Sequence, residues 1–355
     1  MDNKRNYGID LLKTISMLMI IAMHILGYGG VQLGKEVRYL LLSLSYCSVN
    51  CYALASGYNS IDSRFKVSRI LNLWGETLFY SIGIAGIYLL FGGTLDEEDI
   101  LTCLLPVSCI HYWYFTEYFR LFLIIPLLNA FVKRAKRKTI RSWLVAVVIV
   151  SVMFQSKIQR GYHVVWLAVL YMCGAYIKKY GKDHDRRKII FIYLICSGIT
   201  WISQIIGGLS AKVLLLEYTS PTVFLAAIAL LICFTNIEIS AGIQKIVLWL
   251  GKRTFGVYLI HTHIVVWRVF LANRFTYIGD WGIISGVICL VITVIVVFLI
   301  CSVIDEMREH IWKVLKVKKY MDKIDCLVAE QVMDSPAFRK IKKYFERRDY
   351  EICKK

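Results

Sequence analysis

Charge is scarce in this sequence: Asp, Glu, Lys and Arg make up 19% of the 355 residues, against 57% hydrophobic residues. A water-soluble fold of this length could not bury so much apolar surface, which excludes a pair of ordinary soluble domains. Acidic residues are scarcer still, 25 against 43 Lys and Arg, for a formal net charge of +18. The basic excess crowds into a few connecting segments, a placement that argues against nucleic acid as the partner. No small-residue cleavage site follows the apolar run after Lys4 and Arg5, so the N-terminal segment reads as a retained helix rather than a signal peptide. No fixed-period repeat, low-complexity tract or zinc-spaced ligand cluster occurs, and no metal is expected. Most of the 11 cysteines lie inside apolar spans. Cys103 and Cys109 share a loop and could form a disulfide, but with no second pair to make a framework they read as free thiols.

What the chain has instead is apolar runs. The segment 282–304 carries no charge, enough for a helix to cross about 30 Å of hydrocarbon. Turn and charge signals place further spans near 9–29, 37–59, 71–91, 113–132, 143–156, 163–177, 189–207, 221–236 and 247–270. The expected fold is therefore all-α, a polytopic membrane bundle of about ten helices in residues 1–304, followed by a basic tail, 305–355. Arg64, Lys66 and Arg69, the loop 133–141 and the loop 178–188 are basic and alternate with poorly basic connections, which sets the basic side toward the cytoplasm. The loop 92–112 holds Asp96, Glu97, Glu98 and Asp99 without Lys or Arg, as expected of the opposite face. Both termini are then expected on the cytoplasmic side of a bacterial-type plasma membrane. The tail residues Lys316, Lys318, Lys319, Lys340, Lys342, Lys343, Arg347 and Arg348 suit attachment to anionic lipid, each contributing about 1 kcal/mol near the surface.

Ionisable groups in a membrane helix are costly and usually face a cavity or a partner. The first span holds three: Asp10, Lys13 and His24. From Lys13 to His24 the helix turns about three full circles plus roughly 20°, and Asp10 lies within about 40° of His24, so all three share a face. Lys13 and His24 are about 16 Å apart along the axis. A donor with an anionic head and a long arm could leave its phosphates near Lys13 while its reactive end reaches His24, an available general base with an unperturbed pKa of about 6.5. The bland alternative is that Lys13 snorkels to the headgroups and His24 is a buried, hydrogen-bonded residue.

These residues carry a resemblance. The segment RNYGIDLLKTISMLMIIAMH, with Arg5, Asp10, Lys13 and His24, is similar to the first helix of membrane-bound acyltransferase family 3. The likeness continues through SGY at Ser56, Gly57 and Tyr58, KVSR from Lys66 to Arg69, WYFTEYFRLFLIIPLL from Trp113, and GVYLIH ending at His261. It spans about the first 300 residues in the family's order. Lys13 stands where arginine is commoner, and Lys66 stands in place of a second arginine.

The resemblance implies transfer of an acyl group, commonly acetyl from cytoplasmic acetyl-coenzyme A, to hydroxyls of surface glycans or lipid-linked sugars. His24, Asp10 and Lys13 are then the expected catalytic set, and Arg5, Lys66 and Arg69 the expected contacts to the acyl-coenzyme A donor. Trp113, Glu117, Arg120 and His261 are expected on the acceptor side. Glu117 and Arg120, three apart, could equally pair with each other, and Trp113 could belong to an interfacial aromatic belt. His261 and His263 point to different faces; His261 is expected to line the site and His263 to be interfacial. Rival readings are a secondary transporter, whose pathway would also use intramembrane ionisable groups, and a non-catalytic partner of glycan assembly.

Overall fold

A computed structural model describes residues 5–63, 65–154, 156–182, 184–207, 215–280 and 282–334, with side chains to Leu327. Lys4, Arg64 and the tail residues Lys340, Lys342, Lys343, Arg347 and Arg348 lie outside the described residues. The described residues are helical, without strands. In chain order the helices are α1 (Tyr7–Tyr28), α2 (Lys35–Ser45), α3 (Ser48–Ser60), α4 (Val67–Leu90), α5 (Glu97–Leu104), α6 (Trp113–Arg134) and α7 (Arg137–Met153). Then come α8 (Val164–Tyr180), α9 (Arg186–Ile206), α10 (Pro221–Thr235), α11 (Ala241–His261), α12 (Ile264–Leu271), α13 (Ile283–Val314) and α14 (Val317–Asp334).

Six of these are long and apolar enough to cross a membrane: α1, the α2 and α3 pair as Lys35–Ser60, α4, α6, α9 and α13. The bent pair α11 and α12 makes a seventh if counted as one span. The remaining apolar runs fold as shorter helices, α7 and α8 of 17 residues each and α10 of 15. Two expectations need correction. The ninth run, 247–270, is not one helix: it breaks after His261 and bends by 67°. The last span does not stop at 304, because α13 continues to Val314.

The chain forms two compact units, Met1–Arg64 with Thr77–Glu306, and Phe65–Glu76 with Met307–Lys355. In the first, polarity is turned inward. Ile190, Phe191, Leu194, Ile199 and Ile202 of α9 and Ile284, Ile288, Val291, Ile292 and Ile295 of α13 are exposed. Asp10, Glu117, Arg253, His261 and Asp305 are buried. Water would reject such an outer surface, whereas lipid tails solvate it, and the buried polar groups must find partners inside. Asp305 accepts from the Tyr80 hydroxyl at 2.8 Å and pairs with Arg253 at 3.7 Å, tying α4, α11 and α13 together.

Helix contact without a hydrophobic drive depends on close backbone approach. A Cβ on Gly57 of α3 would stand 1.8 Å from the Tyr171 carbonyl of α8. On Gly251 of α11 it would stand 2.8 Å from the Asp10 Cβ of α1. These contacts seat α1 against α11 and α3 against α8, the frame on which the ionisable residues stand.

In the second unit the Asp325 carboxylate accepts from the Ser68 backbone N–H at 2.8 Å and from its hydroxyl, capping the first turn of α4. Arg308 pairs with Glu76 at 3.3 Å.

Candidate active site

The start of α1, with Arg5 two residues before it, brings together three of the residues singled out above. Arg5 donates to both oxygens of Asp10, Nε to Oδ2 at 2.7 Å and Nη2 to Oδ1 at 3.0 Å, a bidentate fork on a carboxylate with 3% exposure. The Lys13 ammonium lies 3.8 Å from Asp10 Oδ1. Two cations thus share one anion, leaving a net positive charge at this end of the helix. Asp10 has both oxygens engaged and serves as the anchor of the two cations. Tyr52 of α3 donates to the Lys13 carbonyl at 2.7 Å, fixing the neighbouring helix at the same level.

Three turns further along α1, His24 Nδ1 lies 3.1 Å from Nε2 of His261, the last residue of α11. The other nitrogen of His261, Nδ1, lies 2.6 Å from the Val257 carbonyl oxygen, which only accepts. Nδ1 of His261 therefore carries the proton, and in the neutral ring its Nε2 holds a lone pair. His24 Nδ1–H must then donate to it, so the Nε2 lone pair of His24 is left with no partner among the described residues. The backbone orients one imidazole, that imidazole orients a second, and the second presents a free base: the arrangement of an oriented general base or nucleophile.

Aromatic rings connect the two ends. Tyr52 and Tyr114 have centroids 6.3 Å apart, Tyr114 and Tyr258 6.3 Å, Tyr258 and His261 6.5 Å. Beyond His24 come Trp267 of α12 at 5.2 Å, edge-on, and Tyr28 at 4.9 Å from Trp267. Residues from α1, α3, α6, α11 and α12 thus form one wall from the level of Lys13 past His24. Of Tyr258, Trp267 and Tyr28, only Tyr258 falls in a motif singled out from the sequence, GVYLIH; the packing sets all three beside the imidazoles.

Of the other expected site residues, Trp113 adjoins this wall, its ring 5.6 Å from that of Tyr114 and edge-on to it. Glu117 pairs with Arg120 at 2.5 Å, and its second oxygen accepts from the Val164 N–H at 2.7 Å, capping α8. Both oxygens thus have partners within the fold. Trp113 packs with Tyr162 (4.4 Å) and Tyr218 (5.8 Å) in an aromatic cluster. Beside it Glu217 accepts from Arg160 at 3.2 Å; burial raises the Glu217 pKa against the pull of Arg160. Lys66 and Arg69 belong to the second unit, exposed on either side of the capped Ser68. Cys103 is a buried free thiol and Cys109 an exposed one.

His263 is not interfacial: it is fully buried at the α11 and α12 break. Its Nδ1 accepts from the Val265 N–H at 3.1 Å, and its Nε2 donates to the Ser81 carbonyl at 3.0 Å. His111 Nε2 accepts from the Ile264 N–H at 3.1 Å. Two rings thus satisfy the amides that a helix start leaves open, which is why the chain can break here without orphaned donors. Arg268 of α12, paired with Asp99 at 2.8 Å, holds the bent segment to α5. Burial beside His263 lowers the His111 pKa to about 4, keeping it a neutral acceptor. Among the described residues no group of three or more His, Cys, Asp or Glu side chains is arranged to hold a metal ion.

No curated protein and no solved structure matches the chain. The family described as an acyltransferase domain matches it over residues 6–303, from the residue before α1 almost to the end of the last apolar run. That range takes in both imidazoles with Asp10 and Lys13, Arg5 standing one residue before it, and the chain belongs to membrane-bound acyltransferase family 3.

Proposed function

We propose that this membrane acyltransferase moves an acyl group, acetyl in the simplest case, from acyl-coenzyme A to a hydroxyl of a surface or lipid-linked glycan. The donor is supplied at the Lys13 end, which faces the cytoplasm of a plasma membrane in this reading, and the acceptor reaches the His24 end. Arg5 and Lys13 receive donor phosphates; the family resemblance alone adds Lys66 and Arg69 of the basic loop as donor contacts. The basic tail rests on anionic lipid.

The observation that carries the reading is the unpartnered Nε2 of His24 at the end of a relay through His261 to the Val257 carbonyl. In the direct route, Nε2 takes the acceptor's hydroxyl proton as the oxygen attacks the thioester carbonyl. The C–O bond forms, the C–S bond breaks, and the imidazolium returns the proton to the departing thiolate. His261, accepting from Nδ1–H, steadies the positive charge as it forms. In the stepwise route Nε2 attacks the thioester carbonyl and the C–S bond breaks to release the thiolate; the acceptor oxygen then attacks the acyl-imidazole, the C–N bond breaks, and the hydroxyl proton passes through Nε2 to the thiolate. A positioned base of this kind contributes about 10²- to 10⁴-fold.

The test is purified protein in liposomes with acyl-labelled acyl-coenzyme A. Loss of the thioester, together with label in added glycan, is expected from the wild type and not from His24→Ala. Label that crosses the bilayer still attached to its donor would establish a transporter. Wild-type behaviour of His24→Ala would remove the base from the mechanism.

A further inference from the structure

The end of the first unit that carries His24 opens into a cleft of about 400 Å³, lined by Tyr28, Gln32, Arg38, Trp267 and Asn273 with the backbone of Gly27. Trp267 is shared: it walls the cleft and lies edge-on to His24 at 5.2 Å. A group seated in the cleft is therefore one ring away from the free base.

Arg38 is the charged residue of that lining. Its guanidinium has five N–H donors. One nitrogen makes a long contact, 3.5 Å, to the Gly27 carbonyl, and its Nε is shut off from solvent with no hydrogen-bond partner. No carboxylate among the described residues pairs with it. The arginines Arg120, Arg160 and Arg268, by contrast, each hold a carboxylate: Glu117, Glu217 and Asp99. A half-buried guanidinium with a silent Nε is costly unless an oxyanion completes it. The planar fork fits a carboxylate or a phosphate.

The rest of the lining suits a sugar. Tyr28 and Trp267 stand at 61°, offering ring faces to C–H groups, and the amides of Gln32 and Asn273 both donate and accept, as hydroxyls require. We propose that the Arg38 cleft is the acceptor subsite and that it selects sugars bearing an oxyanion, a carboxylate or a phosphate, over neutral ones. This rests on the acyl-transfer reading above, which assigns the His24 end to the acceptor.

The experiment is calorimetric titration of the full chain in phosphatidylcholine nanodiscs, without donor, using methyl glucuronide, glucose 1-phosphate and neutral methyl glucoside. Hydrogen bonds to a charged group support a preference of about 10- to 100-fold for the anionic sugars. Arg38→Gln should erase that preference, and Arg38→Lys, which keeps the charge but not the fork, should retain part of it. Equal binding of glucuronide and glucoside by the wild type overturns the proposal, as does an intact preference in Arg38→Gln. If the variants fail to fold, the wild-type comparison decides alone. Displacement of glucuronide by short-chain phosphatidylglycerol at equal or lower concentration would assign the guanidinium to a lipid headgroup and sink the sugar reading. Binding here needs no chemistry, whereas wild-type consumption of the thioester tests the transferase reading. Either result can fail while the other stands.

Discussion

His24 on α1 and His261 on α11 meet nitrogen to nitrogen at 3.1 Å, although 237 residues separate them in the chain. The contact is directional, because the Val257 carbonyl dictates which nitrogen of His261 carries its proton. His24→Gln should therefore lower the turnover of labelled acyl-coenzyme A by about 10²- to 10⁴-fold, the range for a lost general base. His261→Gln keeps an oxygen able to accept from His24 Nδ1–H and should lose less than His261→Ala. A ranking in which both His261 variants match the wild type would separate the second imidazole from catalysis.

At the other end of α1 the roles divide differently. Lys13→Gln removes one cation from the proposed phosphate contact and should raise the KM for acyl-coenzyme A about tenfold with little change in kcat, the pattern of lost uniform binding. Asp10→Asn leaves Arg5 and Lys13 without their shared anion. It should lower the melting temperature as well, by the equivalent of about 1–3 kcal/mol, reduced from the fully buried case because Arg5 is 47% exposed. Steady-state kinetics beside thermal melts would distinguish the two.

The pairing of Asp10 with Lys13 was legible from the sequence, because residues three apart on a helix share a face. The Glu117 and Arg120 pair was legible for the same reason, being three residues apart on one helix. What that spacing cannot reveal is a partner from another element: the Val164 N–H on Glu117, Trp267 beside His24, or Asp305 under Arg253. The break after His261 was hidden for a related reason. Apolar residues continue through 264–266, and the signal for stopping is two imidazoles, the local His263 and the distant His111, that replace lost helix hydrogen bonds.

Glu117 lends itself to a stability test. Glu117→Gln retains an oxygen for the Val164 N–H but loses the charge that holds Arg120, whereas Glu117→Ala loses both. The alanine variant should melt lower, by about 1–2 kcal/mol for the missing cap on α8. Equal melting of the two would mean that the cap contributes nothing measurable.

The His111 cap predicts a pH dependence with a defined sign. Its folded pKa, about 4, lies below the value of about 6.5 in an unfolded chain, so between these limits the unfolded state binds more protons. The contribution is therefore complete above about pH 6.5, falls as pH drops, and is gone near pH 4; its size is on the order of 3 kcal/mol. His111→Gln supplies an oxygen acceptor for the Ile264 N–H and does not titrate. Melting curves from pH 4 to 7.5 should be flatter for that variant than for the wild type, and parallel curves would remove His111 as the source.

Gly251 offers a way to ask whether the two ends of α1 are held by one packing interface. A methyl group there would stand 2.8 Å from Asp10 Cβ and 3.0 Å from the Asp10 carbonyl, so α1 must move away from α11. The movement disturbs the Arg5 and Asp10 fork directly. It also carries His24 away from His261, ten residues further along α11, where the bond is already 3.1 Å and weakens steeply with length and misalignment. Gly251→Ala should therefore depress kcat as well as raise the donor KM, unlike Lys13→Gln, which acts on KM. A Gly251→Ala enzyme with raised KM and wild-type kcat would show that the imidazole pair is held independently of the helix contact beneath it.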